Sequence, residues 1–289
     1  MAFHWQTFRT RAITAILFAV VMLGGLLWNR WSFFILFSLI HFGAWMEYQK
    51  LVGLFNTDYK KITVFHRYGI MVGGWCLLLF FTNELLFIST ITLTDIGFWL
   101  GILLMIALPL IMFMETKLVF LRNLGYSISG VFYISLPLAL MIEMRHHPTI
   151  GDPSLTLTLP LAVIFSIWIN DTMAYIVGSI IGKTPLSRIS PKKTWEGTVG
   201  GIILTIIIIS VIAYFTKRLT VVDAAIISAI ASISGTFGDL FESKLKRMAG
   251  VKDSGSFMPG HGGFLDRFDS MLFAGASVWV YAEFFVFGR

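Results

Sequence analysis

The chain has 289 residues, of which 56% are apolar and 13% charged, with a mean hydropathy of +0.80 and a formal net charge of +6. A soluble domain carries about 45–50% apolar and about 25% charged residues, so this chain has too little charge to coat a water-exposed surface and too much hydrophobicity for disorder. Its single cysteine, Cys76, excludes a disulfide scaffold. That leaves a polytopic membrane protein, with Cys76 a small apolar filler in the run 75–81.

A spanning helix needs about 20 mostly apolar residues. Nine stretches meet this in chain order, near 12–28, 31–46, 68–83, 96–114, 123–144, 155–182, 199–216, 222–241 and 269–287. The first follows Arg9 and Arg11 without a small-residue cleavage site, so an uncleaved span is expected rather than a secretory signal. The second is short and contains His41, which leaves an interfacial position open. The runs are continuously apolar rather than alternating, which argues against a β-barrel. The expected fold is an all-α polytopic membrane protein of about nine transmembrane helices, with no soluble domain or internal repeat. Residues 1–150 are expected to hold about five N-terminal spans. Residues 151–289 are expected to form the catalytic region, with cytoplasmic loops 183–198 and 243–268.

Counting Lys and Arg on alternate sides of these spans gives 17 on the side of the N-terminus and 5 on the other. Positive charge is retained in the cytoplasm, so the N-terminus is expected inside and the C-terminus outside. If 31–46 does not span, the segments before it flip and the later basic loops keep their side.

Acids then interrupt the apolar pattern in the second half. Asp171 lies within the sixth span, Asp239 near the inner end of the eighth, and Asp266 and Asp269 open the ninth. A carboxylate in a span costs about 2.5–3.5 kcal/mol at the centre, so it is kept only where it faces protein, water or a cation. Neither Asp239 nor Asp266 has a Lys or Arg at helical spacing that would make it purely structural; the nearest candidate is Lys246, two turns from Asp239. Positions 239, 242, 243 and 246 share one helix face, and Gly238 lets another backbone approach. A solvated helix end with a 242–246 ion pair is the plainer account of that face.

The stretch 250–263 contains five glycines and one proline, so it is a loop. Glycines allow positive φ and bring backbone N–H groups close to an anion. Lys246, Arg247, Lys252 and Arg267 flank the loop, and Asp266 and Asp269 follow it. Phosphates, cations and a carboxylate-held metal form a consistent set, because Mg²⁺ prefers oxygen ligands and bridges phosphate oxygens. A second basic loop, 182–197, carries Lys183, Arg188, Lys192 and Lys193. By itself it reads as a topogenic loop or a contact for anionic lipid; beside the acids, phosphate binding by Lys192 and Lys193 is the better account. A lone His261 without a His or Cys partner does not point to zinc. His146 and His147, beside Pro148, are expected at the interface.

The stretch 243–269 resembles the signature of the phosphatidate cytidylyltransferases, also called CDP-diacylglycerol synthases. The match runs through Ser243, Lys246-Arg247, Lys252-Asp253, Gly255, Pro259, His261-Gly262-Gly263 and Asp266-Arg267-Phe268-Asp269. Met258 is a conservative departure. Asn170-Asp171-Thr172-Met173-Ala174-Tyr175 with Gly178, and Ser190-Pro191-Lys192-Lys193-Thr194-Trp195-Glu196-Gly197, extend the resemblance over about 165–270. It implies attack of a phosphatidate phosphate on the α-phosphorus of CTP, giving CDP-diacylglycerol and pyrophosphate. It implies Mg²⁺ on Asp239 and Asp266, with room for a second, monovalent cation, and Asp171, Asp253 and Asp269 as secondary ligand candidates. Asp239, Asp266, Lys246 and Arg267 would be the catalytic set. Lys192, Lys193, Lys246, Arg247, Lys252, Arg267, Gly262 and Gly263 would bind CTP and phosphate. The implied setting is a cell (inner) membrane with the site at the cytoplasmic face, lipid and nucleotide as partners, no nucleic acid, and a fold type compatible with a homodimer.

Two rival readings differ in the product. A CDP-archaeol synthase or a polyprenol or phytol kinase shares an intramembrane Asp followed by small residues, as in 171–178. A transporter of phosphorylated solutes predicts repeats and broken helices in matching halves, whereas the charges here cluster in one half. The topology has its own test. Single cysteines placed in loops 183–198 and 243–268, in a Cys76→Ser background, are expected to resist an impermeant thiol reagent in whole cells. Labelling from outside would reverse the orientation.

Overall fold

The computed structural model describes residues 5–115, 120–148, 153–257 and 262–288. Helices follow one another as α1 (Trp5–Leu27), α2 (Arg30–Phe55), α3 (Thr57–Lys60), α4 (Val64–Phe80), α5 (Leu93–Glu115) and α6 (Phe120–Gly130). A π-helical turn (Val131–Ser135) leads into α7 (Leu136–His146), followed by α8 (Pro153–Ile181), α9 (Trp195–Thr216), α10 (Val221–Met248) and α11 (Leu265–Phe285). Among the described residues the one sheet is a two-stranded antiparallel ribbon of β1 (Phe87–Ile88) and β2 (Ile91–Thr92) between α4 and α5.

Eight of the nine expected stretches fall on one helix each, and 123–144 runs through α6, the π-helical turn and α7. Among the described residues five helical stretches are long and apolar enough to cross a membrane: Leu93–Met114, Leu121–His146, Ser154–Ile181, Trp195–Thr216 and Val221–Met248. Ile16–Leu27 and Val64–Phe80 are shorter apolar helices. α2 and α11 are not in either group because charge interrupts them: Arg30, Glu47 and Lys50 in one, Asp266, Arg267, Asp269 and Glu283 in the other. The chain is an all-α membrane protein. On α5, Trp99, Leu103, Ile106, Leu110 and Met114 form an exposed stripe at three- and four-residue spacing, the pattern of a lipid-facing side.

The chain forms two compact units: residues 1–80, 84–135 and 245–268 in one, and 81–83, 136–244 and 269–289 in the other. In the first, α2 is the central element. Phe33, Phe37, Ile40, Ala44, Tyr48 and Leu51 are buried along one face. Asn29 caps its start reciprocally: Ser32 N–H donates to Asn29 Oδ1 at 2.8 Å, and Asn29 N–H to Ser32 Oγ at 3.0 Å. His41 is fully buried, with Nε2 3.0 Å from Ser135 Oγ, and the indole of Trp45 donates to the same hydroxyl at 2.8 Å. The π-helical turn ends at Ser135 and so aims this hydroxyl into the core.

In the second unit α8 and α9 pack closely through small residues. A Cβ at Gly201 would lie 2.8 Å from the Ala174 side chain, and one at Gly197 2.9 Å from the Cα of Gly178. Such contacts let helix backbones approach where no hydrophobic force draws helices together in lipid. Asp223, at the start of α10, accepts from Thr220 Oγ1 at 2.6 Å and from Tyr281 Oη at 2.7 Å. His146 and His147 are also buried. The His146 ring lies 2.9 Å from the carbonyl of Ile142, one turn back in its own helix.

The glycine contact gives a stability prediction. Gly201→Leu forces α8 and α9 apart, and overpacking of this kind costs about 1–3 kcal/mol. Its thermal unfolding midpoint in detergent is expected to fall by several degrees, while Gly24→Ala, where nothing lies within 4 Å of the added Cβ, stays at or above the parent.

Candidate functional site

In the first unit the α10–α11 loop is organised around two carboxylates. Two residues past the end of α10, Gly250 has φ +69. There Gly250 N–H donates to the Arg247 carbonyl at 3.1 Å, and Val251 N–H to that of Lys246 at 3.0 Å. The chain then turns back so that Ser254 meets Asp266. Asp266 Oδ2 accepts from Ser254 N–H at 2.9 Å, from Ser254 Oγ at 2.9 Å and from Gly263 N–H at 2.8 Å. Its Oδ1 accepts from Lys246 Nζ at 2.6 Å, and both side chains of that ion pair are largely buried. Gly262 has φ +86, and a Cβ there would lie 2.6 Å from Asp266 Oδ2. Only glycine makes this turn without strain or collision.

The second carboxylate, Glu47 of α2, is absent from the sequence-derived candidates. It accepts from Ser254 Oγ at 2.6 Å, from Phe264 N–H at 3.0 Å and from Leu265 N–H at 2.9 Å. It therefore caps the first turn of α11, whose N–H groups have no partners within their own helix. A Cβ at Gly263 or Gly255 would strike its carboxylate. Glu47 is the only acid in α2. The rule that flagged Asp171 and Asp239 applies to it equally, but the expected span ended one residue short of it.

The second unit holds the other acids. Asp239 pairs with Lys193 at 2.6 Å, both half-buried. Asp269 is buried; its Oδ1 accepts from Ser270 N–H at 2.6 Å, and it lies within electrostatic range of Asp239, Lys193 and Asp171. Asp171 is exposed on α8. A Cβ at Gly238 would collide with the Asp269 carbonyl, so this glycine admits a second backbone as expected. Glu242, on the same face of α10, is fully buried.

The basic loop between α8 and α9 is closed by backbone bonds, Leu186 N–H to the Lys193 carbonyl at 2.7 Å and Trp195 N–H to that of Thr184 at 2.9 Å. Thr194 caps α9 by accepting from Gly197 N–H at 3.1 Å. Glu196 fastens the near end of the loop, accepting from Lys183 N–H at 3.1 Å and Thr184 N–H at 3.2 Å. Lys183, Arg188 and Lys192 are exposed.

Two expectations change. Asp239 and Asp266 each have a lysine partner after all. The partners are Lys193 and Lys246, which reach them through the tertiary fold and not through helical spacing, so the pattern along one helix could not reveal them. Lys246 pairs with Asp266. Of the expected phosphate-binding cations, Lys193 and Lys246 are engaged in ion pairs, whereas Lys192, Arg247, Lys252 and Arg267 are exposed, as is Asp253. His261, Met258 and Pro259 lie outside the described residues.

A model of the cytidylyltransferase family matches residues 9–285. The chain belongs to this family. It is similar to the phosphatidate cytidylyltransferase of Bacillus subtilis (strain 168), with 36% identity over 176 residues, 58% of this chain and 64% of that protein. It is 49% identical over 109 residues to the phosphatidate cytidylyltransferase of Staphylococcus haemolyticus (strain JCSC1435), covering 37% and 42% of the two chains. It is 44% identical over 115 residues to the chloroplastic phosphatidate cytidylyltransferase 4 of Arabidopsis thaliana, covering 39% and 29%. The matched stretches thus span from 29% to 64% of these relatives' length.

The Glu47 contacts predict a specific loss. Glu47→Ala removes three acceptor interactions, each charge-assisted bond contributing about 1.5–3 kcal/mol. Hydrogen exchange at 254–257 and 262–266 is expected to accelerate strongly, and less so in Glu47→Gln, which keeps one acceptor oxygen. Unchanged exchange in both would remove Glu47 from the loop's support.

Proposed function

We propose that the chain is a CTP:phosphatidate cytidylyltransferase, making CDP-diacylglycerol and pyrophosphate. The observation that carries this most is the pair of lysine–aspartate contacts, Lys193–Asp239 and Lys246–Asp266, set among basic loops at the ends of apolar helices. The reaction brings two phosphate anions together, which requires cations; phosphoryl-type transfer is mostly positioning and charge stabilisation. The phosphate nucleophile is already anionic at neutral pH, so no general base is assigned.

The donor set suits Mg²⁺. Asp269 is buried near two further carboxylates, Asp171 and Asp239, with Lys193 the cation acting on it, so the group is rich in negative oxygen ligands. Asp239 and Asp266 are the residues proposed to hold the ion, with Asp269 near Asp239 as a further ligand; bound there, Mg²⁺ would neutralise phosphate charge on the nucleotide. Lys192, Arg247, Lys252 and Arg267 are proposed to bind phosphates from their exposed positions. Lys193 and Lys246 hold the two aspartates in place and offer the same charge to phosphate. Glu47, Ser254 and Gly263 fix Asp266 and the start of α11. Nine spans, a cytoplasmic N-terminus, an inner-membrane location and a cytoplasmic face for the site belong to the same proposal, supported by the 17-to-5 distribution of Lys and Arg. A monovalent second cation and a homodimer are carried on resemblance alone. The catalytic part is proposed to lie within 151–289, with Glu47 as the contribution of the N-terminal part.

The test is pyrophosphate release from CTP by purified protein, dependent on both phosphatidate and Mg²⁺, with CDP-diacylglycerol identified by mass. CDP as product would indicate a kinase, and no nucleotide turnover a transporter. Asp239→Asn is expected to abolish nearly all activity while retaining its fold, since the amide keeps the shape and loses the charge. Asp266→Asn is expected to lose activity and loop order together, because breaking a buried pair costs about 3–5 kcal/mol. Lys192→Ala is expected to lower kcat/KM by about 10–100-fold, the loss of one charge-assisted contact. Wild-type kinetics in Lys192→Ala would return that residue to a topogenic role.

A further inference from the structure

A separate cluster of ligating side chains lies within the second unit, where α7 and α11 end. Glu143 is in the last turn of α7, His147 directly follows that helix, and Glu283 is in the last turn of α11. One ligand atom from each lies within 4.8 Å of the other two, and among the described residues this is the one trio of His, Cys, Asp or Glu that does so. His147 Nε2 is 3.4 Å from Glu143 Oε1 and 3.5 Å from Glu283 Oε2. The Glu143 and His147 side chains are each 8% exposed, and Glu283 is 39% exposed, so the group is built into protein but open on one side.

These separations discriminate between two origins. Charge-assisted N–H···O bonds run about 2.7–2.9 Å, and both contacts are well beyond that. Ligands about 2.0–2.2 Å from a tetrahedral zinc stand about 3.3–3.6 Å from each other along the tetrahedron's edges, and both contacts fall in that interval. The surroundings also resemble a metal centre's outer shell. The indole N–H of Trp279 donates to Glu143 Oε2, the oxygen turned away from His147, and so fixes the carboxylate's orientation. The Phe287 ring stacks on the His147 imidazole with centroids 3.9 Å apart, which fixes the ring plane. Two carboxylates and a neutral imidazole carry two negative charges, which a divalent cation would cancel.

We propose that Glu143, His147 and Glu283 form a binding site for a divalent transition metal of the zinc class, which ties the end of α7 to the end of α11. Three protein ligands leave a fourth tetrahedral position toward the open side, for water. The site is distinct in sequence and in ligand chemistry from the all-oxygen carboxylate group proposed to hold Mg²⁺.

The full chain, purified in detergent, stripped with EDTA and returned to millimolar Mg²⁺, would be titrated with Zn²⁺. The expected result is one tightly held Zn²⁺ per chain by elemental analysis, with a thermal midpoint raised by several degrees. Co²⁺ in its place should give the intense visible absorption of a tetrahedral centre. Glu283→Gln alters the most exposed ligand, so it should fold and lose both the bound ion and the thermal shift, as should His147→Ala. Trp279→Phe keeps all three ligands and should weaken Zn²⁺ at least tenfold. Asp239→Asn should bind Zn²⁺ as the parent does. The proposal is overturned if no stoichiometric Zn²⁺ is retained, or if Glu283→Gln and His147→Ala hold it as well as the parent.

Discussion

A carboxylate at the margin of an apolar helix must be surrounded by donors or cations, because leaving its charge in a low-dielectric setting costs several kcal/mol. Much of the order in this protein follows from satisfying that requirement one acid at a time. Asp266 collects two donors from Ser254, one from Gly263 and a lysine. Glu47 collects two helix N–H groups and a hydroxyl. Glu196 gathers the amides that close the basic loop, and Asp223 gathers a threonine and a tyrosine at the start of α10. In each case a loop or helix end that its own backbone could not define is defined by an acid.

The same contacts prepare the chemistry proposed for the chain. Each lysine–aspartate pair holds both of its side chains in position before a substrate arrives. In the proposed reaction the exposed Lys192, Arg247, Lys252 and Arg267 would be the first cations to meet a phosphate-rich substrate. Lys193 and Lys246, each held by an aspartate within its own unit, would supply the pre-oriented charge that stabilises a transition state best.

Helix positions were legible in the sequence because each is a long apolar run, and continuous runs need no tertiary information to recognise. The acids were legible for the same reason, standing out against apolar neighbours. Their partners were not. Lys193 is 46 positions from Asp239, and Glu47 is 217 from Phe264, so no local periodicity links them. The burial of His41, His146 and His147 was not legible, because a histidine at or beside an apolar run fits an interface and a packed core equally well. Whether it is buried depends on a hydroxyl or carbonyl from elsewhere, such as Ser135 for His41. Glu47 escaped notice by a single residue, when the expected span stopped at 46 while α2 continues to Phe55.

That 217-residue separation also has a bearing on how the protein is made. Glu47 leaves the ribosome 217 residues ahead of the first backbone amide it caps, so its carboxylate enters α2 long before its partners exist. Until then α10 can enter the bilayer on hydropathy alone, while the loop after it is shaped by Asp266 with Ser254, Gly263 and Lys246 but lacks the cap on α11. Closing so distant a contact carries a large entropic delay, so this loop is among the last parts to order. A nascent chain therefore acquires its span pattern well before it acquires a finished loop, and premature termination anywhere before α11 yields a membrane-inserted chain that lacks the finished loop.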